Sequence, residues 1–145
     1  MQTLTILLYI MLGGAVGAAC RYLCQSMATR WTTMPGWVAL MVINTLGCLI
    51  IGFAVSWLTT DLSTLAMQHL NPLQHQFETI ELNDRLALIA VGFCGAFTTF
   101  SSFALDNFFL GCRRQFWMIF NMIVSCASGL IAVAAGWELG LMVAT

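Results

Sequence analysis

Apolar residues gather in four long stretches, Leu4–Leu23, Trp37–Leu58, Leu86–Leu110 and Phe116–Val133. Each is close to the ~20 residues that a helix needs to cross a bilayer. With their ends included, the pattern predicts four transmembrane helices over 4–27, 37–59, 85–111 and 115–138. Thr29–Gly36 and Gly111–Gln115 are short connections, whereas 60–84 is long and polar. Within that polar stretch, Asp61 or Ser63 can cap a short helix through Leu70, ended by Asn71-Pro72. The first apolar stretch has no basic residue before it and is longer than a signal-peptide core, so it is expected to remain in the protein. The expected architecture is one all-α integral membrane domain over 1–145.

Composition removes the soluble alternatives. Apolar types make up 60% of the 145 residues and charged types 8%, against roughly 45–50% and about 25% in soluble domains. A globule of this size exposes too much surface to hide so many apolar side chains. The net charge of −1, with no lysine and no run of like charge, excludes a nucleic-acid surface. Trp31, Trp37 and Trp117 fall at one set of span ends, Trp57 and Trp137 at the other, as interfacial aromatic belts do. Arg30, Arg113 and Arg114 lie on the short-loop side and Arg85 on the other. That count puts both termini outside by a margin of a few arginines, a bias weak enough to suit insertion in both orientations.

Candidate chemistry is sparse and uncharged. The six cysteines include no C-x-x-C pair, so a membrane redox centre lacks its reactive dithiol. His69 and His75 have no further ligands nearby and read as loop residues. Gly13 with Gly17, and Gly136 with Gly140, form G-x-x-x-G pairs that let helix backbones approach closely. The third span is unusual, reading Gly92-Phe93-Cys94-Gly95-Ala96-Phe97-Thr98-Thr99-Phe100-Ser101-Ser102-Phe103. Two glycines, adjacent threonines and clustered aromatics make a poor helix interior. Either the backbone unwinds there, with freed carbonyls facing protein or a cation, or the helix continues and uses its glycines for packing.

Several polar groups accompany this segment. Phe100 and Phe103 are three apart and share a helical face; their ring edges are positive and can meet an anion, with Thr99, Ser101 and Ser102 hydroxyls beside them. Asn44, deep in the second span, either donates to an anion or bonds a neighbouring helix. Asn121, Ser125 and Ser128 share a face of the fourth span, as a polar track or as side chains bonded back to their own helix. Arg21 is expected near the headgroups or a watery vestibule, with snorkelling as its simplest role. No acid precedes Asp61, and the last two spans offer only Asp106 and Glu138 near their ends. A cation-coupled exporter needs a buried carboxylate, whereas an anion conduit needs donors without fixed negative charge.

Together these motifs make the chain similar to the Fluc (CrcB-type) fluoride channels over nearly its whole length. The similarity rests on Gly13-Gly14 through Gly17-Ala18 and Arg21-Tyr22, on Val42-x-Asn44-x-x-Gly47, and above all on the string from Gly92 to Phe103. The resemblance implies a non-enzymatic, fluoride-selective passive channel of the bacterial cytoplasmic membrane that relieves fluoride toxicity. It also implies four-helix subunits with a third helix broken mid-membrane, paired as antiparallel, dual-topology homodimers with two pores and a central structural sodium ion. By the same resemblance Phe100, Phe103 and Asn44 line the pore, with Thr99, Ser101, Ser102 and Ser125 in its polar track and Arg21 in the vestibule. Gly95 and Thr98 would hold sodium through backbone carbonyls. Asn121 stands where tyrosine is common, Ala96 where glycine is usual and Ser102 where threonine is usual, and 60–84 is longer than the family pattern. A small multidrug exporter would need a glutamate in the first span, and a quinone-linked disulfide enzyme would need paired loop cysteines; neither is present. A non-conducting assembly protein is the remaining rival, marked by tolerance of polar or bulky change at Phe100, Phe103 and Asn44.

Overall fold

The computed structural model describes residues 2–31, 35–66 and 84–144, with side chains for 3–30, 35–60 and 84–144. Helix α1 is Gln2–Trp31 and α2 is Gly36–Ala66. The third span comprises α3, over 84–97, and α4, Phe100–Arg113; α5 is Gln115–Ala144. Four stretches, of 28, 25, 30 and 30 residues, are long and apolar enough to cross a membrane. At ~1.5 Å per residue each exceeds the ~30 Å hydrocarbon core.

The helices run past the apolar stretches that announced them. In particular, α2 continues through residue 61 to Ala66, so no new helix begins at Asp61 or Ser63. Between Gly52 and Ala66 there is no glycine or proline to stop propagation, and each added residue closes a further hydrogen bond. The rest of the polar stretch, with His69, His75 and Asn71-Pro72, lies outside the described residues, as does the side chain of Trp31.

Two glycine seams hold the helices together. A Cβ added at Gly13 would fall on Leu88 O and within 2.9 Å of Phe93 N, and one at Gly17 would fall on Phe93 O. From the other side, a Cβ at Gly92 would come within 2.8 Å of Ile10 O. Thus α1 and α3 touch backbone to backbone, and here α3 winds as a π-helix over Ala87–Cys94. The second seam joins α2 to α5: Cβ atoms at Gly52 and Gly136 would strike Val133 O and Leu49 O. Such approaches supply the close dispersion contact that substitutes for hydrophobic drive between helices in lipid. The outward faces are correspondingly apolar, with Leu130 74% and Met142 71% exposed.

The α2–α5 seam also encloses one anomaly. Ser56 is fully buried beside Gly140, and its hydroxyl has no hydrogen-bond partner among the described residues. A buried polar group left unpaired costs about 1–3 kcal/mol. Ser56→Ala keeps the shape and removes the hydroxyl, so the variant should unfold at higher temperature in detergent. A lower or unchanged midpoint would show that the hydroxyl is satisfied in the native protein.

Candidate functional site at the interrupted third span

Helical geometry stops at Thr98 and Thr99, whose backbones are extended (φ −79°, ψ 159° and φ −150°, ψ 124°). In an α-helix the Thr99 N–H would bond Gly95 O, four residues back. Here it donates to Asn44 Oδ1 at 3.0 Å, while Asn44 Nδ2 donates to Thr99 O at 3.3 Å. The Asn44 amide therefore pairs with one residue's backbone as a neighbouring β-strand would. Because a backbone N–H only donates and a carbonyl only accepts, this pairing fixes which end of the amide is which. The Asn44 nitrogen keeps a second hydrogen outside the pairing.

The far side of the interruption is closed by a cap. Thr99 is the N-cap of α4, its Oγ1 accepting from Ser102 N at 3.3 Å. The Ser101 and Ser102 hydroxyls lie 3.2 and 3.4 Å from the same oxygen. Thr98 instead turns its hydroxyl back to Cys94 O, at 2.8 Å. Gly47 makes this possible, since a Cβ there would fall on Thr98 Cγ2.

These substitutions release two carbonyls. The Thr99 N–H that would serve Gly95 O goes to Asn44, and the Ser102 N–H that would serve Thr98 O goes to the cap. Arg21 Nη1 donates to Thr98 O at 3.3 Å. Arg21 thus meets the interruption itself, in a helix that continues ten residues further to Trp31. Gly95 is exposed with open space where a side chain would be, beside a small cavity of about 170 Å³ that Thr98 and Gly47 also line.

A second polar set runs along α4 and α5. Asn107 Nδ2 donates to Phe103 O at 2.8 Å, Asn121 Nδ2 to Asn107 Oδ1 at 3.1 Å, and Ser125 Oγ to Asn121 Oδ1 at 3.2 Å. Ser128 Oγ then bonds Ser125 O at 3.1 Å and meets Thr45 Oγ1 at 3.0 Å. Thr45 follows Asn44, so both sets converge on α2. Phe100 begins α4 and is 80% exposed; its ring lies 6.1 Å from that of Phe103, tilted 44°.

Of the residues singled out in the sequence, Asn44, Thr98, Thr99, Ser101, Ser102 and Arg21 therefore gather at the interruption. Ser125 belongs to the other set, tied to Phe103 through two asparagines. Asn107 and Thr45 escape the sequence reading, although a buried amide at 107 obeys the same cost argument that flags Asn44. Its place near the end of the third span, next to Asp106, disguises it.

Four membrane-length helices define a multi-pass membrane protein. The chain belongs to the CrcB-like (camphor resistance, CrcB) family, which it matches over residues 8–137. A protein named fluoride-specific ion channel FluC 2 from Rhodococcus jostii (strain RHA1) is 32% identical over 137 residues, covering 94% of this chain and 98% of its own length. The fluoride-specific ion channel FluC of Caulobacter vibrioides (strain NA1000 / CB15N) is 34% identical over 139 residues, 95% of this chain and 94% of its own. The FluC protein of Bacteroides fragilis (strain YCH46) is 34% identical over 142 residues, 92% of this chain and 94% of its own. These relatives are named as channels, and channels are not enzymes.

The Asn44–Thr99 pairing has a measurable weight. Thr99 is 9% exposed, so Asn44→Ala strands a backbone donor and acceptor with little access to water. Each costs about 1–3 kcal/mol, and the variant should show a clearly lowered unfolding midpoint by scanning fluorimetry. An unaltered midpoint would remove the pairing from the structure's essential contacts.

Proposed function

We propose that this chain is a passive, fluoride-selective channel that carries fluoride out of the cytoplasm and so relieves fluoride toxicity. It works as an antiparallel homodimer with two pores in the bacterial inner membrane. The observation that carries the reading is Phe100, a ring 80% exposed at the start of α4 beside Phe103. Neither of the adjoining hydrogen-bond networks contains a carboxylate. Positive ring edges and neutral donors favour a small anion. The family and the names of its members supply the identity of that anion.

Fluoride holds its hydration shell tightly, so closely spaced donors must replace water along the path. Asn44, Thr99, Ser101 and Ser102 supply them, with the Phe100 and Phe103 edges between and Ser125 in the adjoining part of the track. Several weak sites let the ion leave as readily as it enters, whereas one strong cationic site would retain it. Arg21 raises the local potential without standing in the path. At low external pH, hydrogen fluoride diffuses inward, ionises in the cytoplasm and leaves as the anion down its own gradient, with no fuel consumed. The shortage of basic residues allows both insertion orientations that an antiparallel pair requires.

A structural sodium ion fits the released carbonyls. Gly95 O and Thr98 O have lost their helical donors to Asn44 and the Thr99 cap, and hard cations take oxygen ligands of this kind. Thr98 O has a second lone pair beyond the one that Arg21 uses. Two carbonyls are half a small coordination shell, so the second copy of the chain supplies the matching pair. The ion's charge would satisfy these oxygens and tie the two copies together.

The founding test is fluoride efflux from liposomes holding the purified protein, followed with a fluoride electrode beside chloride-loaded controls. Rapid fluoride loss with little chloride loss is expected, and a folded protein that releases neither ion overturns the reading. Phe100→Ile should then cut fluoride flux at least about tenfold, equivalent to ~1.4 kcal/mol, with the dimer intact on size exclusion. Full flux in that variant would remove the ring-edge contact. Replacing sodium with a large organic cation should weaken the dimer, read as a shift toward monomer at low protein density. Indifference to sodium would count against Gly95 and Thr98 as ligands.

A further inference from the structure

We propose that Asn107 is a positioning residue that sets the direction of the hydrogen-bond column on α4 and α5, and so decides which atoms of Asn121 and Ser125 face the ion. The inference rests on the channel reading above and adds a residue that the family signature from Gly92 to Phe103 does not contain.

The column is anchored at one end by a group with no choice. Phe103 O is a backbone carbonyl and can only accept, so the Asn107 amide must turn its nitrogen toward it, as it does at 2.8 Å. The Asn107 oxygen is then left facing Asn121, which must answer with its nitrogen, at 3.1 Å. That turns Asn121 Oδ1 toward Ser125, and the Ser125 hydroxyl gives its proton to it at 3.2 Å. Each step follows from the one before, so a single carbonyl on α4 dictates the orientation of a serine on α5.

The consequence for an anion is specific. Ser125 has one proton and has already placed it, so its oxygen offers lone pairs alone. The nitrogens of Asn107 and Asn121 each carry a second hydrogen that the column leaves over. Both asparagines are nearly inaccessible in the subunit, at 7% and 1% exposure, so water does not readily reorient them. Without Asn107, nothing prescribes the direction of the Asn121 amide. It can turn over, pointing its nitrogen at Ser125 and its oxygen into the space left behind. The amide oxygen then stands unpaired beside the track, where its lone pairs repel an anion, and the Ser125 proton loses its fixed acceptor, so the ordered arrangement that the path depends on is lost.

The test compares the full-length protein with Asn107→Leu and Asn107→Thr in the liposome assay, reading fluoride flux and the fluoride-to-chloride ratio together. Threonine can still donate to the carbonyl four residues back and accept from Asn121, whereas leucine fills the space and can do neither. Loss of one directing hydrogen bond corresponds to about fivefold. Asn107→Leu should lose at least that factor in fluoride flux with a lowered selectivity ratio, and Asn107→Thr should recover most of both. If Asn107→Leu does not yield folded protein, Asn107→Ala against Asn107→Thr makes the same comparison, since these differ by the donor. Leucine or alanine variants that conduct like the parent overturn the proposal. So do leucine (or alanine) and threonine variants impaired alike, because side-chain volume would then be the cause. A parent chain that passes no fluoride overturns the channel reading itself, and this inference with it.

Discussion

Backbone groups inside a membrane have no water to turn to, so any departure from the helix must find replacement partners within the protein. In this chain the departure is two residues long; Arg21 meets the Thr98 carbonyl, and one side chain serves the whole backbone of Thr99. The Asn44 amide takes both backbone groups of Thr99, with the Thr99 hydroxyl closing the next helix behind it. Much else follows from that exchange. The α4 axis can restart with Phe100 at its first position, and the carbonyls of Gly95 and Thr98 are left without helical donors. Asn44 is thereby the reason that the surrounding contacts exist.

The same logic governs the rest of the polar interior. Nearly every interior hydroxyl or amide is matched by an acceptor of fixed character, most often a carbonyl one helical turn away. Fixed acceptors propagate order: they determine not only whether a group is bonded but which way it points. A transport path lined by neutral groups needs that order, because an amide or hydroxyl presents an attractive or a repulsive face to an anion depending on its rotation alone. Charged groups would be simpler to orient, but they would hold the ion too strongly or reject it.

The four spans were legible because membrane length and apolar content are one-dimensional properties, visible without knowing what packs on what. The small-residue pairs at Gly13/Gly17 and Gly136/Gly140 were legible as seams, and the structure adds their partners, Leu88 and Phe93 for the first, Leu49 and Phe53 for the second. The segment around Thr98 and Thr99 stood out through its poor helix propensity. Its pairing with Asn44 did not, since sequence separation of 55 residues carries no hint of register. The sequence leaves Asn44 two roles, and the structure shows the interhelical one directly. At α2 the polar residues that suggest a loop instead continue the helix to Ala66. Asn107 was invisible for a different reason: a lone polar residue near a span end resembles an interfacial one until a partner on α5 is seen.

The distribution of the glycine seams also bears on how the protein is made. Helix α1 finds its seam on α3, and α2 finds its own on α5, the last helix of the described chain. During synthesis α2 therefore enters the bilayer well before its partner exists. The notches at Gly52 and along Leu49 and Phe53 stay in contact with lipid until the ribosome has delivered everything up to Gly136. The interior is sealed from its final segment inward, and a chain stopped short of α5 would present an open furrow to the membrane however well its first three spans had inserted.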